Sequence, residues 1–205
     1  MSQALPKIQD WFDARAHVRD AFLKRTGWDT AQMSAVGEDS AFRRYFRLKA
    51  ASGRTAILME AVPDGSAYVT PGHNMKDFIR ISQYLRGLGL CAPDIFESDL
   101  EDGYLLLDDF GSTSFKMALD AGTDRDELYA LATDVLKFLR ENAKAGDIVL
   151  PEYYASHVHT GRRRLVDWFM PAQRGHVNPD GLAEEYLAVW DSIEQSLAPV
   201  PQGFL

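Results

Sequence analysis

Hydrophobic residues recur with a period of two in the first half of this chain and with a helical period in the second. That switch, near Gly111, limits the folds open to it. In the run from Phe42 to Leu48 (FRRYFRL), Phe42, Arg44, Phe46 and Leu48 fall on one face and Arg43, Tyr45 and Arg47 on the other, the alternation of a strand. Ser52-Gly53 marks a turn, and Thr55–Ala61 (TAILMEA) reads as the antiparallel partner. Met33–Val36 is a short apolar strand before them, and residues 93–97 and 103–107 read as two more. The unbroken run Leu105-Leu106-Leu107 suits a strand buried on both faces. Helical stripes flank this sheet. Ile8, Trp11, Phe12, Val18 and Phe22 predict one opening helix that ends near Gly27, and Phe78, Ile81, Leu85 and Leu88 predict another, closed by Gly89.

Beyond Gly111 only helical spacing remains. Thr123 and Asp126 are candidate caps for a helix with Leu128, Leu131, Val135, Phe138 and Leu139 facing inward. A shorter segment carries Leu165, Trp168 and Phe169, read as core, and a last helix presents Leu182, Tyr186, Val189, Trp190, Ile193 and Leu197. The expected order is helix, small sheet with one inserted helix, then an all-helical half, with the boundary near residues 108–114.

Charge and cysteine usage exclude several functions. Lys and Arg total 22 against 30 Asp and Glu, a net charge of −8, so the chain lacks the cationic field that draws in a nucleic acid. Cys91 is the single cysteine, which removes disulfide frameworks and multi-thiolate metal sites and fits a reducing compartment. Cys91 itself, before Pro93, reads as a buried thiol. The sequence has no run of about 18 apolar residues, so the expectation is a cytoplasmic protein with no membrane partner.

Between the first two strands lies Gly37-Glu-Asp-Ser40-Ala. A glycine and a small hydroxyl there let backbone N–H groups approach phosphate oxygens; the same residues also suit a plain hairpin turn. Neither GxxxxGK[ST] nor GxGxxG occurs.

Four stretches taken together carry a resemblance: Gly37 to Leu48, with Ser40–Leu48 (SAFRRYFRL) its most specific piece; Ala56 to Glu60; Tyr84 to Pro93; and Leu105 to Gly111 (LLLDDFG). They resemble successive N-lobe motifs of the aminoglycoside phosphotransferase-like kinases, nearest the bacterial branch that phosphorylates the amino sugars N-acetylmuramate and N-acetylglucosamine. The resemblance implies an α+β, protein-kinase-like fold: a small antiparallel-sheet N-lobe with one main helix, residues 1–110, then the hinge and first part of a helical C-lobe, residues 111–205. It implies ATP and Mg²⁺, and a sugar or amino-alcohol substrate. Gly37, Ser40 and Phe42 would cover the phosphates, and backbone groups of Leu107, Asp108, Asp109 and Phe110 would meet the adenine edge. Arg44 is the candidate phosphate-binding cation, with a surface strand residue as its other reading.

This sequence departs from the family pattern at three places. Met59 stands at the strand position of the usual phosphate-pairing cation, and Phe78 at the helix position of its Glu partner. The catalytic His-x-Asp-x-x-x-x-Asn is absent, and Pro201–Leu205 resembles the strand that leads into it, so catalytic and metal-binding residues are expected beyond Leu205. The expected function is an ATP-dependent small-molecule kinase, inactive as this segment alone; the alternative is a nucleotide-binding pseudokinase module. Asp109-Phe110-Gly111 spells a kinase metal-binding triplet but follows an N-lobe strand, so it reads as hinge, with Asp109 capping a turn or solvated. His17-Val-Arg-Asp20 falls in the first helix and reads as a solvated face. Arg162 and Arg163 read either as a helix face paired with acidic neighbours or as a site for an anionic substrate group. His157, His159 and His176 lack partners at ligand spacing.

Overall fold

The computed structural model describes residues 8–39, 43–64, 66, 74–144, 146–150 and 158–198. They fall in two compact units, Met1–Ala132 and Thr133–Leu205. The division lies inside a helix, Arg125–Asn142, rather than at the end of the sheet near residue 110 where the period changes. No described helix is long and apolar enough to cross a membrane.

The first unit opens with two helices, α1 (Ile8–Ala14) and α2 (Ala16–Arg25), where the apolar stripe predicts one. The break is at Arg15, whose guanidinium donates to the Asp102 carbonyl at 2.8 Å and to its carboxylate at 2.9 Å. It also lies 4.8 Å over the Trp11 ring. Hydrophobic spacing runs through the break and carries no trace of it, because the contact spans 87 residues of sequence.

Five antiparallel strands follow in the order β1-β2-β3-β5-β4: β1 (Gln32–Asp39), β2 (Arg43–Lys49), β3 (Thr55–Ala61), β4 (Ile95–Asp99) and β5 (Tyr104–Leu107). The outer strands each carry a bulge, with Val36 and Phe96 the extra residues, 52% and 47% exposed. The β2–β3 hairpin is in continuous register from Arg43↔Ala61 to Lys49↔Thr55.

Alternation then gives the sheet two apolar faces. Leu48, Ala56, Leu58, Tyr104 and Leu106 pack with Phe22, Leu23 and Trp28. Met59, Ala61, Leu105 and Leu107 pack with Met75 of helix α3 (Met75–Gly87), with Tyr45, Ile57, Phe78, Ile79 and Ile95 around them. The Leu105–Leu107 run is thus buried on both sides. Asn74 caps α3, its side chain accepting from the Asp77 N–H at 2.6 Å.

Helices α4 (Phe115–Asp120) and α5 (Arg125–Asn142) come next. Asp124, not Thr123 or Asp126, caps α5, accepting from the Glu127 N–H at 2.9 Å. Of the residues expected to face inward on α5, Leu139 is buried, whereas Leu131, Val135 and Phe138 stay exposed among the described residues.

In the second unit, α6 (His159–Arg164), a π-turn at Leu165–Phe169 and α7 (Met170–Arg174) form one bent rod, followed by α8 (Leu182–Ser196). The wider π-turn shifts the facing of every side chain after it. Val166 is buried, while Trp168 and Phe169 are exposed, against the expectation that they form core. Cys91 is also exposed rather than buried, and His157 lies outside the described residues.

The turn before β5 closes on Gly103, at φ +86, where an added Cβ would sit 2.1 Å from the Ala61 carbonyl oxygen. That oxygen and Gly103 are brought together by strand pairing, since the Ala61 N–H donates to the Gly103 carbonyl at 2.8 Å. Gly103→Ala should therefore destabilise the protein by at least about 2 kcal/mol, from left-handed strain plus the clash. Urea denaturation checks it, with Gly53→Ala, which meets open space, as the milder reference.

Candidate functional site

Strand β2 carries three arginines, and its pleat sends them to different environments. Arg44 goes with Phe46 and Leu48 to the α1–α2 face and is 7% exposed. Its Nε and Nη2 donate to Glu60 Oε2 at 2.9 and 2.5 Å, and its Nη1 to Asp13 Oδ1 at 2.8 Å. The guanidinium lies 4.5 Å over the Phe12 ring. Burial pulls the Arg44 pKa down, but the hydrogen bonds it donates to Asp13 and Glu60, with their charges, outweigh it, so the net shift is upward. Tyr104 donates to Glu60 Oε1 at 3.3 Å, and desolvation, then the Glu60 charge, pushes its phenol up to about 12.

This setting corrects the expectation for Arg44. It is neither a phosphate-facing cation nor a surface residue, because its face of the sheet is closed by the opening helices and its donors are taken. Glu60 is the residue the sequence reading missed. The available signal was its position in TAILMEA, an acid alternating with Ala56 and Leu58 on an apolar face.

Arg43, Tyr45 and Arg47 project to the α3 face, where Met59 is fully buried. Met59 and Phe78, the two positions read as a replaced ion pair, pack in this same cluster. The Arg43 guanidinium stands 5.8 Å over the Phe78 ring. Leu107 is the last residue of β5 and is buried; the Asp108 N–H donates to the Asp94 carbonyl at 3.0 Å, and Phe110 is 54% exposed. Gly37 sits beside the β1 bulge with open space where a Cβ would point, and Ser40 and Phe42 lie outside the described residues.

Asp109 is neither solvated nor available to a metal. Its side chain is 5% exposed, and its two oxygens accept from Arg47 Nε and Nη2 at 2.8 and 2.9 Å. Oδ1 also takes the Gly111 N–H at 3.0 Å, so the residue caps a turn. Burial pushes its pKa up, but bonds from Arg47, the Gly111 N–H and Thr55 hold the carboxyl below its ordinary value. Among the described residues no group of three or more His, Cys, Asp or Glu is placed to hold a metal ion.

Arg162 and Arg163 take the helix-pairing reading. Arg162 donates to Asp191 at 2.7 Å and Glu194 at 3.0 Å of α8, and Arg163 pairs with Asp167 one turn on. His159 Nε2 lies 2.9 Å from Glu194, and His176 is exposed. His17 is exposed on α2.

No protein-family model matches the chain. It is 32% identical over 170 residues to an N-acetylmuramate/N-acetylglucosamine kinase of Pseudomonas aeruginosa, covering 82% of this chain and 46% of that protein. A protein of the same name from Pseudomonas putida is 28% identical over 94% of this chain and 52% of its own length. One from Neisseria meningitidis is 25% identical over 94% of this chain and 51% of its own. The chain spans about half the length of the curated relatives it matches.

Removing one member of the buried pair strands the other's charge. Arg44→Met should cost about 3–5 kcal/mol of stability, and Arg44→Met with Glu60→Met should cost less than Arg44→Met alone. Urea denaturation of the cycle measures both.

The Asp109 bond has a pH signature. Its folded pKa is depressed from the ordinary 3.8, so its stabilisation is complete above that value and is lost as pH falls through the lowered one. Asp109→Asn should be less stable than the wild type at neutral pH, and the difference should close in acid. Denaturation across the acid range checks this.

Proposed function

We propose that the full-length protein is an ATP-dependent kinase that phosphorylates a hydroxyl of an amino sugar, with this chain contributing the nucleotide-binding lobe. The likeness over 82% of the chain to proteins named N-acetylmuramate/N-acetylglucosamine kinase carries the reading. The five-stranded antiparallel sheet with α3 on one face is compatible with a protein-kinase-like N-lobe of the aminoglycoside phosphotransferase type.

On this reading ATP, the phosphoryl donor, lies on the α3 side of the sheet. Its adenine rests near Ile57 and Leu107, with its edge against backbone groups of the segment Leu107 to Phe110. Because the Asp108 N–H is taken by Asp94, the donors to the base come from residues beyond it. Gly37, Ser40 and Phe42 belong to the turn that covers the phosphates. The positive charge on this face is that of Arg43 and Arg47, with Met59 beneath and Arg44 on the reverse side. Mg²⁺ belongs to kinase chemistry in general, yet the described residues do not fit it, since Asp109 is committed to Arg47 and Gly111. The carboxylate that orients the acceptor belongs to the full-length protein, and a cytoplasmic site of action goes with the same reading.

A second reading is a nucleotide-binding module without transfer, favoured by the apolar cluster that takes in Met59 and Phe78 where a charged pair is usual. Incubation of the full-length protein with ATP and either N-acetylglucosamine or N-acetylmuramate separates the two. Sugar phosphate should form, and its absence together with measurable ATP binding would establish the module instead. The 205-residue chain alone should bind ATP without turning it over.

A further inference from the structure

Arg47 reaches across the sheet to one short segment. It stands opposite Ile57 on β3, which stands opposite Leu107 on β5, so its side chain runs over β3 toward the residues that leave β5. There it holds more than Asp109. Nη2 also donates to the Gly111 carbonyl at 2.7 Å, and Nη1 to Ser112 Oγ at 2.8 Å. Asp109 in turn accepts the Gly111 N–H, and Gly111 adopts φ +81, so the turn is closed from both sides. Phe110 is 54% exposed. The shape of the turn therefore depends on one planar, forked cation that bonds a carboxylate, a carbonyl and a hydroxyl together. A lysine ammonium cannot reproduce that pattern, being a point charge without the fork.

We propose that Arg47 is a positioning residue that fixes the backbone groups of Asp109 and Phe110 in the orientation that reads the base edge of ATP. This rests on the nucleotide-binding reading above and adds a specific determinant to it. Arg47 touches no phosphate in this role; it sets the angle of groups that do the recognising. A held turn distinguishes adenine from guanine by the placement of its donors and acceptors, whereas a loose one accepts both poorly.

The test uses the full-length protein, with ATP and GTP as varied donors and N-acetylglucosamine as acceptor. Arg47→Ala should raise KM for ATP by roughly tenfold, with kcat within about twofold of wild type, and should erode the preference for ATP over GTP. Arg47→Lys should share most of that rise, because the fork is lost while the charge stays. A residue that only stabilised the fold would instead lower kcat through a smaller active fraction and leave KM and base preference alone. That result would overturn the proposal while leaving the kinase reading intact. If Arg47→Ala does not fold, Arg47→Lys and Asp109→Asn decide the matter by the same split. Calorimetry of the wild type with ATP supplies the remaining distinction: no binding would remove the nucleotide reading and this inference together.

Discussion

The register of the β2–β3 hairpin governs everything else in the first unit. With Tyr45 opposite Met59 and Arg44 opposite Glu60, each arginine of β2 is assigned to one face. A slip of one residue would exchange the faces, leaving Glu60 buried without its cation and sending Arg44 among Met59, Leu105 and Leu107. The buried pair thus penalises the wrong register heavily. Asp13 extends the same network to α1, so the pair also seats the opening helix on the sheet.

The other face of the sheet carries α3 and the cluster around Met59. There Arg43 stands over Phe78, which packs on the Met59 cluster, and Arg47 ties β2 to the chain leaving β5. The same pleat that makes Arg44 structural makes Arg47, three residues further along the strand, a tether. Asp109 shows how misleading a triplet can be. Within Asp109-Phe110-Gly111 the carboxylate is occupied by a guanidinium and a backbone N–H, which leaves it the acceptor in a turn and not a ligand.

In the second unit the charges are likewise spent on architecture. Arg162 lies between Asp191 and Glu194, and Glu194 also meets His159, so the basic run at the end of α6 is joined to α8. The π-turn that follows turns Trp168 outward while Val166 remains inside, and the Val166 carbonyl accepts from Asn178 at 2.5 Å.

Sequence alone determined the strands of the sheet, the helix inserted into it, and which residues of β2 and β3 share a face. Those properties follow from periods of two and 3.6 and from turn residues such as Ser52-Gly53, all of which are local. The alternation in FRRYFRL separated Arg44 from Arg43 and Arg47 correctly. What it left open was which face is covered by helices α1 and α2 and which by α3, and only the tertiary structure decided that. Periodicity distinguishes two faces without naming their neighbours, and the deciding partners are distant in sequence: Asp13 for Arg44, Asp109 for Arg47, Asp102 for Arg15. The break at Arg15, the cap at Asp124 and the outward Trp168 escaped the sequence for a related reason. Each goes with a few polar contacts or one extra residue in a turn, a perturbation too small to alter the hydrophobic pattern around it.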